Sequence, residues 1–252
     1  MKTSKIWFSL IDRYEYQGNS PSFYPENYFE WEHIFDNKHE IIYNELNNFL
    51  NHGNNSPVSY FNHEMVNKPG AWKTVPLMSW GVHFYKNARF FPETCSLLRQ
   101  IPGLVSISFN LLEPKSKISA HFGDTNAIVR CHYGIKIPGQ LPEVGFKVKN
   151  EEREWEEGKL LIFCDGYTHT AWNNSSMPRI ILLFDVILPE FLPQKKMICG
   201  SVLSSIFLQS SSIRLKIKEP PKTILKLLHF FARTSAIILT PPYNWINKII
   251  HA

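Results

Sequence analysis

The chain lacks the short motifs that announce the commonest catalytic folds. Its 12 glycines among 252 residues form no G-x-G-x-x-G, P-loop or G-x-S-x-G, and no H-E-x-x-H is present. These absences exclude the motif-based dinucleotide, nucleotide, α/β-hydrolase and zincin readings. The four cysteines, Cys95, Cys131, Cys164 and Cys199, form no C-x-x-C, so neither a zinc knuckle nor a redox pair is indicated and reduced thiols in a cytoplasmic protein are expected. Acidic residues are scarce at the C-terminal end: residues 191–252 hold nine Lys or Arg against Glu219 alone. A basic balance that comes wholly from the last quarter argues against a nucleic-acid-binding core and points to an appendage able to meet an anionic membrane surface. A long charge-free apolar run is also missing, because the greasiest stretch, 224–239, contains Lys226, His229 and Arg233. Residues 1–14 lack the apolar run and cleavage site of a signal peptide.

Aromatic residues, by contrast, are abundant, with 7 Trp, 10 Tyr and 18 Phe, which suits a β-rich core or a lined pocket. Residues 34–50 carry Phe35, Ile42, Leu46 and Phe49 at helical spacing and predict an amphipathic helix ahead of the core. The Trp-rich stretch 72–81 reads as an edge strand, and Pro92 starts a short helix. From Leu104 the period becomes two, with Val105, Ile107, Phe109 and Leu111 alternating with Ser106, Ser108 and Asn110. Further strands are expected at 127–137, 145–149, 159–164 and 179–187. Short strands without long intervening helices predict a mainly β, jelly-roll kind of core. After Pro189 the pattern turns helical, and Pro220-Pro221 and Pro241-Pro242 are expected to break it. The division is therefore 1–190, with its core at about 70–190, and an extension at 191–252.

Period two along the strand around Arg130 puts Ile128, Arg130, His132 and Gly134 on one face and Val129, Cys131, Tyr133 and Ile135 on the other. In a sandwich the polar face would be solvated; in a small barrel it would line a cavity, where Arg130 offers a carboxylate a bidentate partner. His121 and His169 stand at strand ends. Two neutral imidazoles from different strands, with open metal positions left over, would suit non-haem Fe(II), but the place of the usual carboxylate, two residues after the first His, holds Gly123.

Ordered blocks from 102 to 190 decide among these readings: His121-Phe122-Gly123-Asp124-Thr125-Asn126, Arg130-Cys131-His132-Tyr133-Gly134, Trp155-Glu156-Glu157-Gly158-Lys159, Phe163-Cys164-Asp165, His169-Thr170-Ala171-Trp172-Asn173, Arg179 and Asp185-Val186. Together they resemble the aspartyl/asparaginyl β-hydroxylases, oxygenases dependent on Fe(II) and 2-oxoglutarate with a double-stranded β-helix (jelly-roll, cupin-like) core. The resemblance implies His121 and His169 as iron ligands, Arg179 at the C5 carboxylate of 2-oxoglutarate, and Arg130 and His132 at its C1 end. Asn110 stands where the family more often has a small hydroxyl residue near the distal carboxylate. The implied reaction consumes O2, converts 2-oxoglutarate to succinate and CO2, and hydroxylates an unactivated C–H. The substrate implied is an Asp/Asn-type peptide or a related small molecule. The alternative is a lipid acyl chain, with peripheral membrane contact through residues 199–252, and the outsider is a barrel that binds a ligand without catalysis.

Overall fold

The computed structural model describes residues 5–53, 55–215 and 220–251. Short helices α1 (Ser9–Asp12), α3 (Tyr85–Ala88) and α4 (Pro92–Leu98) and the longer α2 (His39–Asn51) surround eleven strands. These are β1 (Val58–Ser59), β2 (Trp72–Ser79), β3 (Val82–His83), β4 (Leu104–Leu112), β5 (Ser116–His121), β6 (Ile128–Lys136), β7 (Val144–Val148), β8 (Glu151–Arg153), β9 (Leu160–Phe163), β10 (His169–Asn173) and β11 (Arg179–Ile187). Two helices, α5 (Lys195–Leu215) and α6 (Lys222–His251), close the chain.

The strands form two antiparallel sheets, one ordered β1-β2-β4-β11-β6-β9 with β3 paired to β2, the other β5-β10-β7-β8. This is the expected jelly-roll, cupin-like core. Its larger sheet is buried on both faces. Outside, Val75, Phe109, Cys131, Tyr133 and Phe184 pack under Phe35, Ile42, Leu46 and Phe91; inside, Leu112 and Ile181 meet Ile118, Phe146 and Ala171 of the second sheet. Hence β4 and β11 are long and rich in branched apolar residues, as strands covered on both sides must be. The two faces of β6 separate as the period of two predicts, and the barrel alternative is the one observed.

Two local expectations change. The helix predicted over 34–50 begins only at His39, because Asn37 takes a left-handed φ of 56° and separates it from a 3-10 turn over Glu30–Phe35. Pro241 and Pro242 lie inside a continuous α6 instead of breaking it. They leave the carbonyls of Ile237 and Ile238 without intrahelical donors, but the helix is held to the body on both sides of the prolines, by His229 upstream and Asn244 downstream. The helices after β11 pack on the core: Ile198 and Val202 of α5 are buried with Trp80, Val105 and Ile187. Gly200 lets α6 approach closely, since a Cβ there would stand 2.6 Å from Ile237.

Candidate functional site

Antiparallel register sets His121 of β5 directly opposite His169 of β10, at a point where the pairing shifts by a bulge. The two rings lie with centroids 4.3 Å apart. Each Nδ1 stands 2.8 Å from the carbonyl oxygen two residues back in its own chain, Ser119 and Tyr167. A carbonyl only accepts, so both Nδ1 atoms carry the proton and both Nε2 atoms keep a lone pair. Burial holds His121 down to about 4 and His169 well below the ordinary imidazole range, so both rings are neutral at pH 7. This donor set fits a divalent transition metal. Among the described residues, no group of three or more His, Cys, Asp or Glu is placed to hold one.

The missing third side chain has a steric cause. A Cβ on Gly123 would stand 1.6 Å from Asp165 Oδ2, so the carboxylate of Asp165 fills the space that a ligand at 123 would need. Asp165 is fully buried, its Oδ1 lies 3.7 Å from His169 Nε2, and neither of its oxygens accepts a well-aligned hydrogen bond. Its partner is Arg130, whose Nη1 lies 2.6 Å from Oδ1, while Nε and Nη2 donate to the two oxygens of Asp185 at 2.8 and 3.1 Å. Arg130 and Asp185 are cross-strand partners on β6 and β11. Burial opposes the charge of Arg130, but Asp165 and Asp185 more than offset it and hold the guanidinium above its ordinary range. Burial likewise pushes Asp165 up, with Arg130 pulling the other way. At 2.6 Å from a guanidinium so strongly held, Asp165 is read as a carboxylate.

Across the cavity, Arg179 is 2% exposed, and its Nε and Nη1 have no partner. It lies over the Trp155 ring at 4.5 Å, and burial lowers it to about 9. A buried cation without an anion is costly and marks a place for one. Trp155 also donates from Nε1 to Nδ1 of His132 at 3.2 Å, which leaves Nε2–H of His132 as a donor. Asn110 has its amide engaged: Trp72 Nε1 donates to Oδ1 at 2.9 Å, and Nδ2 donates to Ser108 Oγ at 2.8 Å.

All six residues singled out from the sequence, Asn110, His121, Arg130, His132, His169 and Arg179, line one cavity, closed on its apolar side by Ile118, Phe146 and Ile181. The cavity opens past His121 and Arg130 into a cleft of about 1180 Å³. Sequence reasoning named but gave no role to three supports of this site: Asp165 and Trp155, which stand in the blocks that carry the resemblance, and Trp72 of the Trp-rich strand. The family to which residues 36–189 match is described as aspartyl/asparaginyl β-hydroxylase. The chain belongs to that family. Among its relatives, this β-hydroxylase-family chain is 31% identical over 190 residues to the ornithine lipid ester-linked acyl 2-hydroxylase of Rhizobium tropici, a match covering 74% of this chain and 67% of the relative. It is 33% identical over 140 residues to the human aspartyl/asparaginyl beta-hydroxylase, covering 53% of this chain but only 18% of that protein. Aspartate beta-hydroxylase domain-containing protein 2 of Xenopus tropicalis is 31% identical over 144 residues, 54% of this chain and 38% of the relative.

Proposed function

We propose that the chain is an Fe(II)- and 2-oxoglutarate-dependent hydroxylase. The observation that carries this reading is the pairing of two metal-ready imidazoles, His121 and His169, with a buried guanidinium, Arg179, that lacks an anion. Bound iron, with 2-oxoglutarate and O2, would supply the oxidant that turns a C–H into C–OH while the cosubstrate leaves as succinate and CO2. The protein's own part is binding and orientation. Arg179, braced by Trp155, takes the C5 carboxylate. His132 donates from Nε2 toward the C1 end, and Arg130 has two N–H groups left for it after serving Asp165 and Asp185. Asp165 supplies negative charge beside the imidazoles, with Oδ1 3.7 Å from His169 Nε2. Asn110, saturated by Trp72 and Ser108, shapes the distal wall; this is a smaller role than the cosubstrate contact expected of it.

For the substrate, the relatives' names give two classes, an aspartyl or asparaginyl group and the ester-linked acyl chain of an ornithine lipid. The cleft favours the acyl chain. Its walls include Phe61, Met65, Phe84, Phe122, Ile206 and Leu225, with the last two supplied by the C-terminal helices. The substrate reading thus carries peripheral membrane contact through 199–252 with it, and four free thiols support a reducing, cytoplasmic setting. Mass spectrometry of lipid extracts and Asp- or Asn-containing peptides incubated with protein, Fe(II) and 2-oxoglutarate tests it. A gain of one oxygen on a fatty acyl chain supports the reading; modification of peptides alone replaces the lipid by a peptide, and no succinate with any substrate removes the reaction.

A further inference from the structure

The last helix is amphipathic in the inverted sense. After Leu225 its inward stripe is small or polar, running through His229, Ala236, Asn244 and Asn247, while the opposite stripe of Ile224, Leu227, Phe231, Ile238, Trp245 and Ile249 is 50–67% exposed. The spacing of that outer stripe, three or four residues or their sum, keeps all six on one side of the helix. Polar groups on the inward side are used up against the body. His229 Nε2 donates to the carbonyl of Ser201 at 3.0 Å, Asn244 accepts from His83 N at 3.0 Å and donates to Gly81 O at 2.8 Å, and Asn247 donates to His83 O at 2.8 Å. A surface helix of a water-soluble body would be laid the other way round, so the outer face is built for an apolar covering.

By length and composition α6 could cross a bilayer. Its hydrogen bonds to the body argue against that. They hold it at His229 and again at Asn247, positions about 27 Å apart along the axis. A helix strapped to a folded body over that length lies along it and cannot stand alone across hydrocarbon. The charges name the kind of membrane. Between Lys222 and His251 there is no acidic residue, while Lys222, Lys226, Arg233 and Lys248 are basic. Trp245 and Tyr243, both exposed, are side chains suited to the headgroup boundary.

Resting on the lipid substrate proposed above, we infer that α6 is a monotopic docking face that lies in the plane of an anionic lipid leaflet with the Ile224–Ile249 stripe immersed. Leu225, in its first turn, also lines the cleft, so the docked body presents the cleft wall at the membrane surface and an acyl chain can enter without crossing water.

The test uses the full chain without iron or 2-oxoglutarate and sedimentation with vesicles of phosphatidylcholine alone or mixed with phosphatidylglycerol. Binding should need the anionic lipid and weaken with salt. It should fall at least about tenfold in the triple variant Phe231→Ser, Ile238→Ser, Ile249→Ser, because burial of apolar area is the larger part of such binding. All three side chains are exposed, so the variant should keep the parent's thermal transition. Quenching by brominated lipids reads the orientation: tryptophan at 245, and at 238 in the Ile238→Trp variant, should both be quenched best by bromines near the headgroups. Failure of the parent to bind, equal binding by the triple variant, a stable dimer that buries this stripe, or preferential quenching of position 238 by deep bromines would each overturn the inference. Vesicle binding without succinate formation would instead sink the proposed reaction and leave the docking face standing.

Discussion

Replacing Arg179 by Met should make the metal-free protein more stable while removing its response to 2-oxoglutarate. The magnitude follows from the guanidinium's surroundings. Burial is the cause that holds it at about 9. Relative to an ordinary arginine above 12, this is a cost on the order of 5 kcal/mol to the fold, present in full at every pH below about 9, because the folded state there keeps a charge it disfavours. The contact with the Trp155 ring returns roughly 2 kcal/mol. Met fills similar space without a charge, so a net gain of about 2–3 kcal/mol is expected, in line with other replacements of buried charges by apolar side chains. For a chain of this size that corresponds to a rise in Tm of roughly 5–10 °C. Calorimetry with Mn(II), with and without 2-oxoglutarate, is the assay: the parent should gain Tm on addition of 2-oxoglutarate and Arg179→Met should not. A variant less stable than the parent by 1 kcal/mol or so, or one that still responds to 2-oxoglutarate, would show that Arg179 has a structural partner and refute the anion-site argument.

Four further outcomes follow from the same geometry. His121→Ala and His169→Ala should each abolish metal binding, read by isothermal titration, because two protein ligands leave no redundancy. Since His121 is held at about 4 and His169 is also lowered, proton competition should weaken Mn(II) binding only well below about pH 6; a midpoint at the ordinary imidazole value would show that these rings are solvated. Trp155→Phe keeps a ring beneath Arg179 but loses the donor to His132. It should raise the KM for 2-oxoglutarate by about fivefold, near 1 kcal/mol, and change kcat less. Gly123→Asp should not supply a third ligand but displace Asp165 from Arg130 and destabilise by about 2–4 kcal/mol, and adding Asp165→Gly should restore part of the loss in a thermal melt.

What could be read in advance was whatever depends on a local period or an ordered motif. The two faces of β6 follow from alternation alone, and the structure puts Cys131 and Tyr133 under the outer helices and His132 in the cavity. Register is another matter. That His121 faces His169 depends on how 47 intervening residues fold back, and no residue near either one encodes the pairing. The role of Asp165 was hidden for the same reason: its neighbours in sequence are Cys164 and Gly166, and only the approach of Gly123 from another part of the chain shows the space it fills. The prolines of α6 were given too much weight, because helix breaking is a local rule and the anchors that override it, Gly81 and His83, lie some 160 residues away.

The nine residues of β6 also have a consequence for how such a protein can change. One side of the strand belongs to the packing under α2 and the other to the cavity, with Arg130 and His132 one pleat away from Cys131 and Tyr133. A substitution that drifts neutrally in an ordinary core would here tilt a guanidinium shared between two carboxylates, Asp185 on β11 and Asp165 in the turn between β9 and β10. The cavity wall and the folding core therefore share the same stretch of backbone. Variation that alters substrate choice has freer ground in the walls of the outer cleft, such as Phe61, Met65, Ile206 and Leu225, where no charge network has to be carried along.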